Sequence, residues 1–183
     1  MYQFMVLVLL LMVGCSTELP ESYQPLPKVI SLEEFSLYNQ DGKTISNNEL
    51  QQNWTLLFFG YTFCPDVCPT TLAELNQVAA KVAVDNLQVV LVSVDPERDS
   101  PRQLKDYIHY FNPKFKAWSG ELGQIESLAS QLHVFFQKRP FDDSYLMDHS
   151  SQVVLINPEG EYVGFFTAPL STDDMVSYIN SKG

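Results

Sequence analysis

The chain has 183 residues, a length that suits one domain of ordinary size with a short leader. Its formal net charge of −11 lies entirely outside the first fourteen residues, and so acidic a chain repels phosphate backbones, which argues against nucleic acid as a partner. Apolar residues make up 45% of the sequence, enough for a sizeable core, so the composition excludes a disordered chain.

An apolar leader precedes the rest of the chain. Phe4 to Val13 is an unbroken apolar run, shorter than the roughly 20 residues that a transmembrane helix needs and typical of a signal peptide. Met12-Val13-Gly14-Cys15 resembles the lipobox of bacterial lipoproteins, in which the cysteine becomes the lipidated N-terminus. We therefore expect a lipoprotein-type signal peptide over residues 1–14 and lipidation of Cys15. The alternative is an ordinary secretory signal with an incidental cysteine.

An extended spacer is expected next. Thr17 to Pro27 contains three prolines and no apolar periodicity, as is typical of a linker. Residues 15–28 are predicted to tether lipidated Cys15 to a folded domain over residues 29–183, outside the cytoplasm.

The first predicted elements of the domain are a hairpin, a buried strand and a helix. Residues 35–38 and 43–45 flank a turn that ends in Gly42, which predicts the hairpin. Trp54–Gly60 is almost entirely apolar, as expected for a central strand buried on both faces. The proline at position 69 then opens an amphipathic helix.

Strands and helices continue to alternate after this helix. Leu87–Val94 predicts a second buried strand. The remaining predicted helices cover residues 101–111, 124–132 and 172–181, and the remaining strands cover residues 145–147, 152–156 and 162–166. This order predicts an α/β sandwich with one central sheet. A ligand site then falls beyond the carboxyl ends of the strands, where the residues after Gly60 lie.

Two cysteines follow the central strand. Cys64-Pro-Asp-Val-Cys68 joins this strand to a helix start, where thiolates have lowered pKa values. The pair can form a disulfide, including one that only fastens the loop, or bind a soft metal. One residue more than in the C-x-x-C motif of thiol oxidoreductases widens the loop and lets both sulfurs face one ion. Two thiolates and an imidazole favour copper(I), because zinc would require a fourth ligand or water.

Three histidines are candidates for the imidazole. His109 lies on the predicted helix 101–111, and His133 lies at the end of the predicted helix 124–132. Neither position requires a metal. His149 lies in a polar segment before a predicted strand, where Asp148 could orient its ring as a second partner of the imidazole. From the residues alone, a solvated loop histidine explains His149 equally well.

Three motifs together resemble the SCO/SenC family. They are the segment GYTFCPDVCP over Gly60–Pro69, the segment Asp95-Pro-Glu-Arg-Asp99 with Pro101, and Asp148-His149-Ser150, in the family's order and spacing. The resemblance extends from about Val29 to the C-terminus. It implies a thioredoxin-like sandwich, with a central mixed sheet flanked by helices and the added N-terminal hairpin.

The resemblance also implies a ligand set. Cys64, Cys68 and His149 would bind copper as Cu(I) and Cu(II), and Asp66 or Asp148 would be a further ligand or a second-layer contact. The segment from Asp95 to Asp99 would also fall at the site end of the sheet, although a salt-bridged loop with a helix cap is its simpler interpretation.

Membership of the family would imply copper delivery to, or maturation of, the binuclear copper site of cytochrome c oxidase subunit II or another exported copper protein. The protein would then be anchored by lipid on the outer face of the bacterial cytoplasmic membrane. The alternative is a thiol-disulfide reductase that acts on exported dithiols through Cys64 and Cys68 alone. A peroxidase is disfavoured, because peroxiredoxins need a lone activated cysteine with an arginine nearby, and Arg98 and Arg102 lie beyond the next strand.

Overall fold

Ten strands and four α-helices make up the computed structural model, which describes residues 19–182. In chain order the strands are β1 (Tyr23–Ser31), β2 (Leu37–Asn39), β3 (Thr44–Ile45), β4 (Trp54–Gly60), β5 (Leu87–Ser93), β6 (Lys116–Ser119), β7 (Phe136–Phe141), β8 (Ser144–His149), β9 (Val153–Ile156) and β10 (Glu161–Phe166). The helices are α1 (Val67–Lys81), α2 (Pro101–Phe111), α3 (Leu122–Gln131) and α4 (Thr172–Asn180), with a single 3-10 turn at Asn47–Leu50. Cys15 and the predicted signal peptide lie outside the described residues.

Eight of these strands form one mixed sheet in the order β1-β10-β9-β4-β5-β6-β2-β3. β4, β5 and β6 are parallel, and every other pairing in the sheet is antiparallel. Gly60 at the end of β4 lies opposite Ser93 at the end of β5. The loops that follow these two strands therefore emerge at the same edge of the sheet, called the site edge below.

The core lies around β4, whose seven residues are all buried. A strand in the middle of a sheet with covered faces has no solvent side, which explains its continuous apolar sequence. α1 packs against β5, α2 and α4, and it turns Leu72, Leu75 and Val78 toward the interior at helical spacing. No helix among residues 19–182 combines the length and apolar composition needed to cross a bilayer.

The predicted α/β sandwich with a mixed sheet and an added hairpin is confirmed, but three strands were not expected: β1, β6 and β7. β6 has four residues, too few to show a period, and β7 has the polar sequence FQKRPF with exposed side chains along most of its length. β7 pairs with β8 in a separate two-stranded sheet, the β7–β8 hairpin. His149 is consequently the last residue of a strand rather than part of a loop.

The start of α1 also differs from the prediction. The helix begins at Val67, so Cys68 lies in its first turn. Pro69 is the third residue of the helix. At this position a backbone N–H has no acceptor within the helix, so proline removes no helical hydrogen bond. Cys64 therefore lies on a loop and Cys68 on a helix.

β1 begins inside the segment that the sequence predicts as a tether. The Tyr23 ring is buried against Phe166 and Tyr178, and the Ser22 hydroxyl donates to Asp174 at 2.7 Å. The prolines of β1 are tolerated because β1 is an edge strand, which needs fewer backbone N–H donors. The first strand of the sheet therefore begins at Tyr23, within residues 15–28, the segment predicted as the tether.

The chain enters the domain at the site edge. β10 runs in the same direction as β4, because both are antiparallel to β9. Tyr23 pairs with Phe166, the last residue of β10. The N-terminal end of β1 and the carboxyl end of β4 thus lie at the same edge.

Candidate metal centre

Cys68 is held against the end of β4 by close packing. Its side chain is fully buried, and a Cβ placed on Gly60 would lie 3.0 Å from the Cys68 sulfur and 2.9 Å from Cε1 of Phe58. Glycine at position 60 therefore leaves room for the sulfur beneath the site. Helix α1 and strand β4 together fix the position of this ligand.

Cys64 and Cys68 are free thiols, and hydrogen bonds connect them. The backbone N–H of Cys68 donates to the Cys64 sulfur at 3.4 Å. The Cys68 thiol also donates to that sulfur and is the main cause that lowers the pKa of Cys64 to about 4, with His149 and further backbone N–H groups acting in the same direction. The same hydrogen bond and burial raise the pKa of Cys68. The pair is therefore a thiolate at half-buried Cys64 beside a buried thiol.

The imidazole of His149 faces this pair from the β7–β8 hairpin. Its Nε2 atom lies 3.3 Å from the Cys68 sulfur, and its Nδ1 atom lies 3.1 Å from the carbonyl oxygen of Ser150. A carbonyl only accepts, so Nδ1–H donates to it, and Nε2 is the ring atom that faces the sulfurs. Phe58 and Tyr61 pack edge-on against the ring, with centroids 5.7 and 6.0 Å away.

These three side chains form a group that can hold one metal ion. One ligand atom from each of Cys64, Cys68 and His149 lies within 4.8 Å of the others. Ligands about 2.3 Å from a shared ion are roughly 4 Å apart, so only small movements would bring all three into coordination. The group opens into a cleft of about 290 Å³, which Asp66 and Asp148 also line. The donor set is soft and three-coordinate, as copper(I) prefers.

The two acidic candidates lie in the cleft but do not orient the ligands. The carboxylate of Asp148 accepts from Nε of Arg139 at 3.0 Å, and the ring of His149 is oriented by the Ser150 carbonyl instead. The partner is a backbone carbonyl, which no side-chain pattern in the sequence identifies. Asp66 precedes α1 without capping it through its side chain, so its exposed carboxylate remains available to an ion in the cleft.

The other candidates have structural roles. Asp95 forms an ion pair with Arg98, and Ser100 caps α2 in a capping box with Gln103, so the salt-bridged interpretation of this segment holds. His109 lies on α2, and His133 follows α3 with a positive φ of 55°. Among the described residues the structure brings neither histidine to a group of potential metal ligands.

The fold and this group of side chains define a thioredoxin-like protein in which two cysteines and one histidine could hold a metal ion. The SCO1/SenC family model matches residues 24–182. The chain belongs to the SCO1/SenC family.

Known relatives agree with this class. A protein of Stutzerimonas stutzeri named as a putative copper-binding protein is 34% identical over 154 residues, which cover 82% of this chain and 76% of that protein. The crystal structure of Arabidopsis thaliana ScoI with copper bound has a TM-score of 0.78 and 34% identity, and the match covers 82% of this chain and 96% of that one. BsSco, described as having a disulfide switch and as a member of the Sco family of cytochrome c oxidase assembly proteins, has a TM-score of 0.68 and 26% identity over 86% of this chain and 95% of its own.

Proposed function

We propose that this protein binds copper through Cys64, Cys68 and His149 and delivers it to, or matures, the binuclear copper site of cytochrome c oxidase subunit II or another exported copper protein. The observation that carries the proposal is the convergence of two sulfurs and one imidazole nitrogen within 4.8 Å at the site edge. The copper-bound and oxidase-assembly relatives support the choice of metal and of recipient.

The chemistry of the donors supports binding of both copper states. Two thiolates and an imidazole satisfy Cu(I), which accepts low coordination numbers and soft ligands. Cu(II) prefers additional hard ligands, and an oxygen of Asp66 is the more available candidate, because Asp148 is already paired with Arg139. The Nδ1–H of His149 is fixed by a carbonyl, which holds the ring in the tautomer that leaves Nε2 free to bind.

The unequal burial of the ligands supports transfer by ligand exchange. Cys64 is half-buried and lines the open cleft, whereas Cys68 is fully buried. A thiolate of the recipient can therefore approach copper from the cleft and replace Cys64 first, with no change in the oxidation state of the metal. Cys68 would leave last.

A thiol-disulfide reductase is the second candidate, and the low pKa of Cys64 favours it. In that reaction the Cys64 thiolate attacks one sulfur of a partner disulfide and forms a mixed disulfide. Cys68 then attacks Cys64, its proton is lost, and the partner leaves as a dithiol. Two electrons pass to the partner as Cys64 and Cys68 become a disulfide. His149 takes no necessary part.

Copper stoichiometry and reductase turnover together test these two functions. Purified reduced protein should bind one copper per chain, and Cys64→Ser and Cys68→Ser should abolish this. His149→Ala should weaken Cu(I) binding by about tenfold or more while leaving disulfide reduction intact. His109→Ala is the matched control, because it removes an imidazole outside the site. The assignment of the ligand set fails if His149→Ala binds copper as tightly as the parent.

We also propose that residues 1–14 are a lipoprotein-type signal peptide and that the segment from Cys15 to the start of β1 is the tether. This places the domain on the outer face of the bacterial cytoplasmic membrane. The lipobox-like segment ending at Cys15 supports the proposal. Mass spectrometry of the N-terminal peptide should find a diacylglyceryl group on Cys15. Unmodified Cys15 on a mature chain would contradict it, and Cys15→Ser should release the protein from membranes.

A further inference from the structure

The loop from Asp95 to Asp99, called the acidic loop below, lies between the two parts of the metal centre. One end of it holds the cysteines. The buried Asp99 carboxylate accepts from the Thr62 backbone N–H at 3.1 Å, from the Thr62 hydroxyl, and from the Ser93 hydroxyl at 2.6 Å. Thr62 precedes Cys64 by two positions. The acidic loop therefore anchors the segment that leads into the first thiolate.

Arg98 of the acidic loop holds the hairpin that carries His149. Its side chain is 20% exposed, and its Nε donates to buried Asp95. Nη1 donates to the carbonyl oxygen of Tyr145 at 3.0 Å, and the guanidinium carbon lies 3.7 Å from the centroid of the Tyr145 ring. The Tyr145 hydroxyl in turn donates to Asp95 at 2.8 Å. This arrangement clamps β8 at a point four residues before His149.

The same guanidinium also contacts the cysteine side. Its central carbon lies 4.9 Å from the centroid of the Phe63 ring and 5.7 Å from that of Tyr61. Phe63 is adjacent to Cys64, and the Tyr61 ring packs edge-on against His149. Phe63 is 51% exposed, and the Arg98 guanidinium lies over its ring. The Arg98 guanidinium thus contacts both the segment that leads to Cys64 and the hairpin that carries His149.

The hairpin needs such a clamp because no strand pairing joins it to the main sheet. β7 and β8 pair only with each other among the described strands. Besides Arg98 and the Tyr145 hydroxyl that donates to Asp95, an exposed ion pair between Lys138 and Glu97 links the hairpin to the acidic loop, and exposed pairs of this kind contribute little. An arginine that is mostly buried, doubly hydrogen-bonded and stacked between aromatic rings is a far stiffer connection.

We infer that Arg98 is a positioning residue that sets the distance between the His149 imidazole and the two sulfurs, by clamping the β7–β8 hairpin to the acidic loop. It does not coordinate the ion. Its removal leaves Cys68 on α1 and Cys64 on the loop after β4, which Asp99 still anchors through Thr62, but it allows the imidazole to move away. The copper part of the test rests on the proposed copper site; the structural part does not.

A double-mutant cycle tests the inference. Arg98→Met should lower Cu(I) affinity by about tenfold, measured by competition with a chromophoric chelator. In a His149→Ala background the same substitution should cost nothing more, because the ligand that Arg98 positions is already gone. Arg102→Met is the matched control, since that arginine is 92% exposed, and it should bind copper like the parent. Additive losses from Arg98→Met and His149→Ala would overturn the inference.

A second measurement uses the metal-free protein. Nuclear Overhauser effects between the His149 and Tyr61 rings should be present in the parent and the control and lost in Arg98→Met. If the parent binds no copper but these signals behave as stated, the proposed function fails while the positioning role of Arg98 stands. If they persist in Arg98→Met, the positioning role fails.

The last variants separate geometry from stability and charge. Tyr145→Phe keeps the ring but removes its bond to Asp95, and it should weaken Cu(I) binding in the same direction as Arg98→Met, by a smaller factor. Arg98→Lys keeps the charge but not the planar fork, and it should resemble Arg98→Met. Full rescue by lysine, or a lowered melting temperature with unchanged copper affinity, would show that Arg98 contributes only charge or stability.

Discussion

Cys68 lies in the first turn of a helix that packs on the central sheet, whereas His149 ends a strand of a small sheet that has no pairing with the central one. The first region, the cysteine region, consists of β4, the loop after it and the start of α1. The second is the β7–β8 hairpin. A site made of one rigid and one peripheral part can lose its imidazole without losing its fold or its dithiol. Stability and copper affinity should therefore respond to different substitutions.

The largest difference between the regions should appear in the free energy of unfolding. Leu56 of β4 is completely buried, and Leu56→Ala should lower the free energy of unfolding by about 2–5 kcal/mol, through lost burial and the cavity left behind. Leu146→Ala in the hairpin removes a half-buried side chain and should cost about 1 kcal/mol or less. Urea denaturation of both variants measures this. Equal losses would mean that the hairpin is part of the cooperative core.

The thiolate should be mainly a property of the cysteine region. The largest cause of the low Cys64 pKa is the Cys68 thiol, not His149. At pH 5 a thiol with a pKa of about 4 is mostly ionised, so iodoacetamide should react with Cys64 roughly fifty times faster than with an ordinary thiol after allowance for its weaker nucleophilicity.

The pH profile of this alkylation follows from the direction of the shift. A lowered pKa keeps the thiolate above pH 4 or so, and the rate should fall only as the pH drops through that value. His149→Ala should move the midpoint only slightly upward. A midpoint near that of a free cysteine in this variant would show that the hairpin, and not the cysteine region, generates the thiolate.

Gly60→Ala tests how tightly the cysteine region is packed. The new methyl group would approach Phe58, Leu91 and the Cys68 sulfur at 2.9 to 3.1 Å, closer than side chains accept. We expect a loss of about 1–3 kcal/mol in the free energy of unfolding, together with weaker copper binding because the sulfur is displaced. Gly123→Ala is the control, since a Cβ at that position meets no atom within 4 Å. Copper binding unchanged in Gly60→Ala would show that the sulfur can move freely.

The smallest effect should come from the exposed ion pair of the hairpin. Lys138→Met removes the partner that lowers the pKa of Glu97, and we expect no measurable change in the unfolding midpoint. Because the folded pKa of Glu97 is lowered, any stabilisation by the pair is present above the ordinary carboxyl pKa and is lost as the pH falls through the folded value. A marked rise in amide exchange of β8 in Lys138→Met would show that this pair, rather than Arg98, holds the hairpin.

Most of the cysteine region could be predicted from the sequence. The apolar run of β4 and the proline near the start of α1 are local signals, and the loop between them carries both cysteines. The resemblance of three motifs to one family then selected His149 from three histidines. The family was correctly recognised, and the structure brings the three predicted ligands together.

The hairpin and its attachments could not be predicted in the same way. β7 has neither alternation nor a long apolar run, so no periodic signal marks it as a strand. The carbonyl of Ser150 and the stacking of Arg98 depend on contacts between segments far apart in the chain, and backbone acceptors carry no sequence signature. The sequence suggested that Asp148 could orient the His149 ring; in the structure its carboxylate accepts from Arg139, and the ring donates to the Ser150 carbonyl instead.

Only a short segment separates Cys15 from the start of β1. Cys15 precedes Tyr23 by eight positions, which span at most about 28 Å when fully extended. With a lipid on Cys15, as proposed, Tyr23 would lie no farther than this from the lipidated residue, and the entry of β1 at the site edge would turn the edge that carries the copper ligands toward the bilayer surface. The rate of encounter with a recipient in the same membrane would then depend on the effective concentration of the domain in a thin layer at the membrane surface. An insertion before Tyr23 would lower this effective concentration and leave the copper ligands unchanged.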